Sequence, residues 1–484
     1  MDEPVPRPVT IRFEGRSLKC RAGTTVAVAL WEAGVRALSH SPKYGRPRGL
    51  HCARGHCTSC LMRIDGVPNV RACEAPVRDG LRVERQDAGA FYGKPLQRVL
   101  AGGAGLFPVG FYYKWFTRPA ALSRLFLRGV RPLTGVGRLP EPAAWRGANA
   151  AAAPADRGAG AAAAPAGQVE RDLGLFDTVV VGAGLAGLRA AAQASGRVLL
   201  VDDHARPGGQ RWPALAAVAG ELGPRLAELP VLARHWEALQ TAAAALPARP
   251  DLRRALGCRV AGAYAPDLLL IRDEYGLAMA RARTLHWAAG ALDALGLFTG
   301  NDLPGLFGPR GLYRVVARDG LDVKGRRVLV AGGGLDLWLA AALLHVRGAR
   351  VTVALGETGW ADEVRAAVAW GWQVHTGLRV TQARGRGDAV AAVRLDAPDG
   401  GESQVWIDCD LAVIAERGKP AYDVPYQLGA DLALNTARGG YLPRGLDGDR
   451  HETGLPGGLA LVVAGEAAGA RPGAGPGPRE VSGA

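Results

Sequence analysis

The chain has 484 residues, of which 48% are hydrophobic and 21% are charged, a composition that suits a globular α/β protein of two to four domains. Its net charge is +14, and residues 1–150 carry all of this excess, with 24 Lys and Arg residues against 10 Asp and Glu residues. These basic residues are scattered and accompany no recognisable nucleic-acid-binding motif. The sequence therefore argues against nucleic-acid binding and favours a solvated or subunit-facing basic surface.

The sequence also argues against secretion and membrane insertion. The segment MDEPVPRP is acidic and lacks the apolar core of a secretory signal, and no uninterrupted run of about 18 apolar residues occurs. Seven cysteines in the whole chain suit a reducing interior better than a disulfide framework. We therefore expect a cytoplasmic protein without a transmembrane segment.

Residues 1–87 carry the pattern of a small β-grasp domain. Residues 9–13 alternate as a strand, residues 14–16 form a tight turn, and residues 17–20 return as a second strand. Thr24 or Thr25 can cap an amphipathic helix, VAVALWEAGV, that ends at Gly34. A hairpin, MRIDGVPNVRAC, comes later, and Cys20 in the second strand is predicted to be a small core residue.

Four cysteines of this domain have the spacing C-x4-C-x2-C-x12-C: Cys52, Cys57, Cys60 and Cys73. The first two gaps allow one loop to wrap three corners of a [2Fe–2S] cluster, and a more distant turn supplies the fourth thiolate. Gly55 lies inside this loop, where the backbone must pass close to the inorganic sulfides and positive φ can be needed. The alternatives are a zinc knuckle or two disulfides. Zinc sites usually pair two C-x2-C units and only one is present, so the sequence predicts an iron–sulfur cluster.

Cationic and imidazole side chains flank these cysteines. Arg54 and Arg71 would favour reduction of a cluster that carries net negative charge. His51 and His56 also lie beside the cysteines, but four thiolates are already available, so the pattern does not predict a Rieske-type site. A basic face at this place would steer an acidic partner into position.

Two connecting segments follow. Residues 88–142 contain FYGKPLQRVL and GFYYKWF, an aromatic and cationic stretch that we interpret as an arm docking across the next domain. Residues 143–170 are low-complexity Ala, Gly and Pro sequence. This composition predicts a flexible linker between an electron-transfer module and a nucleotide-binding module.

A dinucleotide-binding pattern begins near residue 171. The sequence DTVVVGAGLAGLRAAAQASGRVLLVDDHARPGGQ predicts a strand, a glycine turn, a helix and a second strand. Gly182 makes the turn, Gly184 admits a pyrophosphate, and Gly187 lets helix and strand pack closely. Asp202 ends the second strand, where an acid can bind the hydroxyls of an adenosine ribose. A Rossmann unit that binds nothing is the alternative. The motif closes with Gly208, Gly209 and Gln210.

A second unit of this kind begins near residue 327. Gly332 and Gly334 supply the first two glycines, but Leu337 stands at the third and should push the helix from the strand or shift the turn. Ala354 and Leu355 end the next strand, where an acid would be expected. The pattern predicts a nested Rossmann domain over residues 306–405 and leaves NAD(P) binding there the less favoured interpretation.

The segment SPKYGRPRGLHCARGHCTSCLMRIDGVPNVRAC resembles the iron–sulfur module of flavoprotein subunits of the sarcosine oxidase alpha type, a group that includes hydrogen cyanide synthase and opine oxidase subunits. PVGFYYKWFTRP and FTGNDLPG are similar to further segments of these subunits. The resemblance implies a [2Fe–2S] cluster and FAD in the first dinucleotide site, with NAD or another adenine nucleotide as the alternative there. It implies an α+β and α/β protein. In it, a β-grasp ferredoxin-like domain (1–87) precedes a two-dinucleotide-binding, double Rossmann flavoprotein fold, made of 171–305 with 406–484 around the nested 306–405.

The same resemblance assigns further cofactor contacts. The PGGQ turn at 207–210 would lie along the flavin diphosphate, and a late strand that ends in Gly-Asp in relatives ends here in Gly465 and Glu466. Glu466 could accept a hydrogen bond from the ribityl chain after some rearrangement. The Thr of an A-T-G triplet is replaced by Ala289. Relatives continue with a helix that faces the flavin ring, whereas RPGAGPGPREVSGA opposes a helix. This side of the site is therefore incomplete, is completed by a partner, or ends in a truncated or frame-shifted sequence.

Three functions are compatible with these features. By resemblance, the first is an electron-transfer subunit of a multi-subunit oxidase or dehydrogenase that acts on CH–NH or CH–NH2 donors. Its substrate would be of the sarcosine, opine, proline or glycine type, bound mainly by a partner flavoprotein and oxidised at the partner's flavin. The second is a self-sufficient NAD(P)H-dependent flavin and iron–sulfur reductase, and the third is a non-catalytic assembly subunit with degenerate nucleotide sites. Cys258 and Cys409 are solitary, which argues against a dithiol mechanism of the thioredoxin reductase type. The sequence names no catalytic residue, substrate, electron acceptor or stoichiometry.

Overall fold

A computed structural model describes residues 8–41, 46–86, 119–125, 169–246, 249–265, 267–273, 276–356, 359–398, 404–444, 450–454 and 459–470. The predicted docking segment and linker lie outside these ranges, apart from a short helical piece at 120–125 and residues 169–170, which open a strand. The predicted helix-opposing C-terminal sequence, from residue 471 onward, also lies outside them. Within the described ranges, no helix has the length and apolarity that crossing a membrane requires.

The front domain is a five-stranded β-grasp sheet covered by one helix, as the sequence predicts. The two N-terminal strands form an antiparallel hairpin, and the last strand of the domain pairs in parallel with the first. Glu14 and Gly15 make the hairpin turn with φ of 48° and 82°, the positive values that a tight turn of this kind requires. Cys20 is buried in this sheet, which confirms it as a core residue. The strands, in sheet order, are Arg16–Arg21, Pro8–Phe13, Arg82–Arg85, Leu61–Ile64 and Val67–Arg71, and a separate pair is Ser39–His40 with Pro47–Arg48.

The helix of this domain, Val26–Glu32, is buried on all sides. The Thr25 hydroxyl accepts a hydrogen bond from the Val28 N–H at 3.5 Å and caps the helix, and every residue from 26 to 31 is buried. The sheet covers one face, and the ring of Trp31 packs edge-on against Phe307 of the body at a centroid distance of 5.4 Å. The helix is therefore shared between the core of the front domain and the interface with the rest of the chain.

The body begins with an eight-stranded sheet whose central strands are parallel, the arrangement of a Rossmann unit. The first glycine turn lies at the carboxyl end of its long strand Val169–Val181, and the neighbouring strand Val198–Asp202 is fully buried, as strands covered on both faces are. The parallel strands, in sheet order, are Leu252–Leu256, Val198–Asp202, Val169–Val181, Gly276–Trp287 and Ala460–Ala464. The strands added to this sheet in antiparallel orientation are Leu268–Asp273, Arg259–Ala265 and Arg450–Gly454. The helices are Leu185–Gln193, Trp212–Leu222, Gly223–Glu228 (3-10) and Pro230–Ala244.

The nested domain has a five-stranded parallel sheet and extends further along the chain than the sequence predicts. The expected boundary at residue 405 is too early, because strand Leu411–Ala415 pairs in parallel with Arg327–Gly332 in the middle of this sheet. The strands of this sheet, in order, are Leu306–Phe307, Leu411–Ala415, Arg327–Gly332, Arg350–Leu355 and Gln373–Thr376. The helices of the domain are Pro309–Tyr313, Arg314–Arg318 (π), Gly334–Val346 and Ala361–Ala369. A separate antiparallel sheet consists of Arg379–Arg386, Ala389–Asp396 and Gln404–Asp408. Smaller elements of the body are Ala291–Leu292 with Lys419–Pro420, Asp423–Gln427, Leu432–Asn435 with Gly440–Pro443, Thr436–Arg438 and Gly465–Ala468.

The front domain docks closely on the body. The Arg21 guanidinium donates hydrogen bonds to the carbonyls of Asp319 and Gly320 at 2.8 and 2.9 Å. Gly49 packs so tightly that an added Cβ would lie 2.6 Å from the Cβ of Pro304. Contacts this short fix the orientation of one surface on the other, whatever the length of the intervening segment.

Candidate functional site

The structure brings the four predicted cluster cysteines together at one edge of the front domain. Cys52, Cys57 and Cys60 share one loop, and Cys73 closely follows strand Val67–Arg71. The Cys57 thiol interacts with Cys52, and the Cys73 thiol interacts with both Cys52 and Cys60. All four are free thiols, and only Cys57 is partly exposed. One loop and one turn therefore supply four sulfur donors, as the spacing predicts.

The pairing of these sulfurs is the one expected of a two-iron cluster. Four thiolates on one tetrahedral zinc lie about 3.8 Å from one another. Among the described residues, which include all four cysteines, no three of these sulfurs lie within 4.8 Å of one another. The contacts join Cys52 to Cys57 and Cys60 to Cys73, with Cys52 also near Cys73, which suits two sulfurs on each of two irons. The donor set fits a [2Fe–2S] cluster.

The surroundings raise the pKa of two of these thiols, Cys57 and Cys73. Hydrogen bonding to Cys52, together with burial, raises the pKa of the Cys57 thiol. The hydrogen bond with Cys52 lowers the pKa of Cys73, but the bond to Cys60 and burial outweigh it, so the pKa of Cys73 is raised as well. The backbone N–H groups of Arg54 and Cys57 point at Cys52 Sγ from 3.5 and 3.3 Å, where they would stabilise a thiolate. Metal binding is therefore expected to release protons.

Gly55 has the positive φ that the sequence predicts. Its φ is +73°, and an added Cβ would lie 2.5 Å from Oε2 of Glu74. Both the backbone conformation and the available space therefore favour glycine. The group that leaves no room for a side chain at Gly55 is the Glu74 carboxylate.

A buried arginine ties the cysteine loop to the first Rossmann unit. Arg54 is only 7% exposed, and its guanidinium lies 3.5 Å from Oδ2 of Asp203. Burial opposes ionisation of Asp203, but the hydrogen bond from His204 and the charges of Arg54 and Arg259 outweigh it and hold the pKa of this carboxyl well below its usual range. Burial lowers the pKa of His204, yet hydrogen bonds to Asp202 and Asp203 raise it overall to about 9. The sequence predicts that Arg54 and Arg71 act on the cluster. Arg54 is the buried arginine that pairs with Asp203, whereas Arg71 is exposed.

The first glycine turn has the geometry that its motif predicts. Gly182 has φ of +101°, and an added Cβ would lie 2.3 Å from the Ala288 carbonyl oxygen. A Cβ on Gly187 would lie 1.7 Å from the carbonyl oxygen of Gly182, so only glycine allows helix and strand to approach this closely. Gly209 lies against the turn, because an added Cβ on Gly209 would lie 2.9 Å from the Cα of Gly184. Gly208 of the same segment has φ of +127°.

Asp202 lies at the end of its strand as predicted, but its carboxylate already forms hydrogen bonds within the protein. Oδ2 accepts a hydrogen bond from the Ala183 N–H at 2.5 Å, and Oδ1 is bonded to the backbone and ring nitrogens of His204 at 2.8 and 3.0 Å. A carboxylate offers about four acceptor positions, so about one is left for a ribose hydroxyl. In the structure, the main role of the Asp202 carboxylate is to stabilise the glycine turn through its hydrogen bond from the Ala183 N–H.

Gln210 supplies an observation that fits a bound cofactor. Its Oε1 is buried and has no hydrogen-bond partner among the described residues. A buried acceptor without a partner is costly, and a donor on a bound molecule would satisfy it. Gln210 lies beside the positions of the glycine turn that would hold a diphosphate, so the residues present fit a dinucleotide such as FAD.

The Glu466 carboxylate is held in a buried ion-pair network. The predicted hydrogen bond from a ribityl chain would instead require this carboxylate to be accessible. Arg211 donates to both its carboxylate oxygens at 2.8 and 2.9 Å, and Arg310 donates to Oε1. Arg211 also pairs with Asp336 at 2.6 Å, and Arg310 pairs with Asp293 at 3.1 Å. Although burial opposes ionisation, the two arginines lower the pKa of Glu466. A contact with a ribityl chain would require these ion pairs to rearrange.

The second glycine turn differs from the first, as Leu337 predicts. Gly332 repeats the close approach, because an added Cβ would lie 2.3 Å from the Ala415 carbonyl oxygen. Gly334, however, has φ of +74°, whereas its counterpart Gly184 has φ of −73°. Leu337 is fully buried beneath the turn. The side chain at the third position is therefore accommodated by a different backbone conformation of the turn.

Several residues of these sites escape sequence analysis. Arg310 and Asp336 lie far from Glu466 in sequence, and nothing in their local pattern marks them as members of its ion-pair network. Gly311 lies in the helix Pro309–Tyr313, where an added Cβ would lie 2.5 Å from the His51 carbonyl oxygen and 3.0 Å from that of Cys52. Only Arg211 carried a signal, because it directly follows the PGGQ turn.

Comparisons with known proteins agree with this architecture. Residues 6–88 match the family described as 2Fe-2S iron-sulfur cluster binding domain. Hydrogen cyanide synthase subunit HcnA of Pseudomonas aeruginosa is 40% identical over 78 residues, which cover 16% of this chain and 74% of HcnA. Sarcosine oxidase subunit alpha of Rhizobium meliloti is 31% identical over 225 residues, which cover 44% of this chain and 20% of that subunit. The crystal structure of L-proline dehydrogenase from P. horikoshii superposes with a TM-score of 0.56 at 19% identity, over 96% of this chain and 70% of that one.

Fold and site together define an iron–sulfur protein with a double Rossmann body. The likeness to L-proline dehydrogenase supports this fold and nothing further at 19% identity. The chain belongs to the family of [2Fe–2S] oxidoreductase subunits that includes hydrogen cyanide synthase subunit HcnA and sarcosine oxidase subunit alpha. It spans only a fifth of the length of the sarcosine oxidase subunit that it matches.

Proposed function

We propose that the chain is the electron-transfer subunit of a multi-subunit amine or amino-acid oxidase or dehydrogenase. The substrate would be a CH–NH or CH–NH2 donor of the sarcosine, opine, proline or glycine type, oxidised at a flavin in a partner subunit. The names of the relatives support this class, since sarcosine oxidase is an amine oxidase by name and both relatives are subunits.

The observation that carries the proposal is the direct connection between the cysteine loop and the first nucleotide turn. Arg54, two residues after Cys52, is ion-paired with Asp203. The neighbouring Asp202 accepts the N–H of Ala183 inside the glycine turn. The two candidate redox sites are therefore linked through a few contacts of one chain, which suits transfer of electrons between them.

The cofactors would be held by residues already described. Cys52, Cys57, Cys60 and Cys73 would hold the [2Fe–2S] cluster, and Gly182, Gly184, Gly187 and Gly209 with Gln210 would line the FAD diphosphate. When bound, FAD exchanges electrons in pairs and the cluster exchanges them singly. The chain's own part is to hold both groups at a fixed separation, to exclude water with the buried cysteine loop, and to place the positive charge of Arg54 beside the cluster.

The test is purification of the full chain without oxygen, first alone and then from its native source with any partner. We expect about two irons and two sulfides per chain, an electron paramagnetic resonance signal after reduction, and FAD on release of the nucleotide. Addition of sarcosine, an opine, proline or glycine should reduce the cluster in the native complex but leave it oxidised in the isolated chain. A colourless, iron-free protein would overturn the proposal. Rapid bleaching of the isolated chain by NADH or NADPH would indicate the self-sufficient reductase, and a cluster without nucleotide would indicate the assembly subunit.

A further inference from the structure

One arginine at the contact between the cysteine loop and the body has no counter-charge. Arg314 directly follows the helix Pro309–Tyr313 and begins the π-helical turn Arg314–Arg318. Its Nε is buried without a hydrogen-bond partner, and its side chain forms no ion pair or hydrogen bond with any residue that the structure describes. Taking a cation partly out of water is costly unless a negative group accompanies it. Turns of π-helix are rare and often occur at functional sites.

The position of Arg314 in its helical segment places it on the side that meets the cysteine loop. Gly311 precedes it by three residues, and residues three apart occupy the same face of a helix. An added Cβ on Gly311 would lie 2.5 Å from the His51 carbonyl oxygen and 3.0 Å from that of Cys52. The face that carries Arg314 is therefore the face against which the loop with three of the four cluster cysteines packs.

The charge of Arg314 acts on Arg54, which lies inside the cysteine loop. Burial lowers the pKa of Arg54, the charge of Asp203 raises it, and the charge of Arg314 lowers it again. Arg54 and Arg314, called here the guanidinium pair, therefore lie close enough to repel each other. This repulsion is unfavourable, and a negatively charged group beside the pair would relieve it.

The acidic residues of this interface are already engaged with other groups. Asp203 and Asp293 are the two acids whose charges act on Arg54. The Asp203 carboxylate also lies 2.9 Å from the ring nitrogen of His204. Asp293 is paired with Arg310 at 3.1 Å, and both of these side chains are almost completely buried. The second guanidinium of the pair forms an ion pair with neither acid, so its positive charge stays uncompensated within the described part of the chain.

The location of this charge favours the iron–sulfur cluster over the first-site diphosphate as its counter-ion. The helix that precedes Arg314 contacts the carbonyl of Cys52, itself a predicted cluster ligand. The glycine turn that would hold a diphosphate is connected to the loop less directly. That connection runs through Asp203 and through the hydrogen bond that its neighbour Asp202 accepts from the Ala183 N–H. The uncompensated cation therefore lies on the cysteine side of this connection.

We propose that Arg314 supplies the counter-charge for the negatively charged [2Fe–2S] cluster and stabilises its reduced form. This inference rests on the proposed function, because it takes the four cysteines as the ligands of that cluster. Each electron that enters, supplied by the first-site flavin, adds one negative charge to the cluster, and no atom is gained or lost. A nearby guanidinium in a partly dehydrated place therefore stabilises the reduced form more than the oxidised form. The result is a higher reduction potential.

The experiment is a potentiometric titration of the full chain with its cluster in place, followed by electron paramagnetic resonance of the reduced cluster. Arg314→Gln should make the uptake of one electron about tenfold less favourable or more, a shift of about 59 mV or more toward negative potential. Arg314→Met, a second uncharged variant, should shift the potential in the same direction and gives the measurement if Arg314→Gln does not fold. Arg314→Lys should retain most of the original potential because it keeps the charge. The matched control is Arg365→Gln, which removes the same charge from an ion pair 77% and 63% exposed and should leave the potential unchanged.

The proposal is overturned if the uncharged variants keep the potential of the unmodified chain, or if Arg365→Gln shifts it equally. It is also overturned if Arg314→Lys shifts the potential as far as Arg314→Gln, because the side chain would then have a structural role. Loss of the first-site nucleotide at an unchanged potential overturns it in favour of a contact with the diphosphate. A chain that binds no iron overturns the proposed function and this inference together, whereas an intact cluster whose potential is the same in every variant overturns this inference alone.

Discussion

Replacing Gly311 with alanine should damage the contact between the cysteine loop and the body. An added Cβ would lie 2.5 Å from the His51 carbonyl oxygen and 3.0 Å from that of Cys52. Both obstacles are backbone atoms, so the loop or the helix would have to move by about 0.5 Å or more, and overpacking of this kind costs about 1–3 kcal/mol. The expected result is a lower urea midpoint and faster loss of the cluster's visible absorbance.

Gly220 provides the matched control. It also lies within a helix, Trp212–Leu222, but an added Cβ would meet nothing within 4 Å. Alanine is favoured over glycine inside a helix by about 1 kcal/mol, so Gly220→Ala should be neutral or stabilising. The assay is urea unfolding followed by both tryptophan fluorescence and cluster absorbance. If Gly311→Ala matches Gly220→Ala in both midpoints, the inferred close contact does not exist.

Three further substitutions test other parts of the structure. Cys73→Ser should abolish the paramagnetic signal of the reduced cluster and lower the iron content, whereas Cys20→Ala, a buried cysteine away from the loop, should keep both. Arg310→Met removes the arginine that is ion-paired with the buried Asp293 and should lower the free energy of unfolding by about 3–5 kcal/mol, while Arg444→Gln, in an ion pair 67% and 70% exposed, should change it by less than about 1 kcal/mol. The unmodified protein should lose stability in urea titrations between about pH 6.5 and 9, and His204→Gln should remove this loss.

The direction of the pH effect follows from the raised pKa of His204. Its value in the folded chain is about 9, above the ordinary value of about 6.5. The stabilisation is therefore complete below about pH 6.5 and is lost as pH rises through 9, to a total of roughly 3 kcal/mol. Asp202 and Asp203 contact the ring directly, and Arg54 and Arg259 face it across Asp203. Stability that stays level over this range, or falls equally in His204→Gln, would contradict the assignment.

Local patterns in the sequence predict most of the fold and the cluster site. The C-x4-C-x2-C loop needs only its own spacing to gather three sulfurs, and the strand, glycine turn and helix around Gly182 need only neighbouring residues. Leu337 predicts the altered second turn because a single side chain is enough to change it. These features depend on interactions within a few tens of residues, which a sequence displays directly.

The remaining features depend on contacts between distant segments. Glu466 resembles a ribityl-binding carboxylate in its local sequence, but Arg310 reaches it from more than 150 positions away. Gly311 has no special φ and sits in an ordinary helix, so only the three-dimensional approach of Cys52 explains it. Strand Leu411–Ala415 joins the nested sheet by a pairing that no local pattern specifies.

The helix Val26–Glu32 has a consequence for any attempt to divide the chain. Six consecutive side chains of this helix are hidden, and Trp31 is hidden partly by a residue of the body. Cleavage between the two parts would leave a water-exposed apolar stripe on the liberated fragment. Such a fragment should self-associate when separate and should recover solubility when it meets the complementary piece.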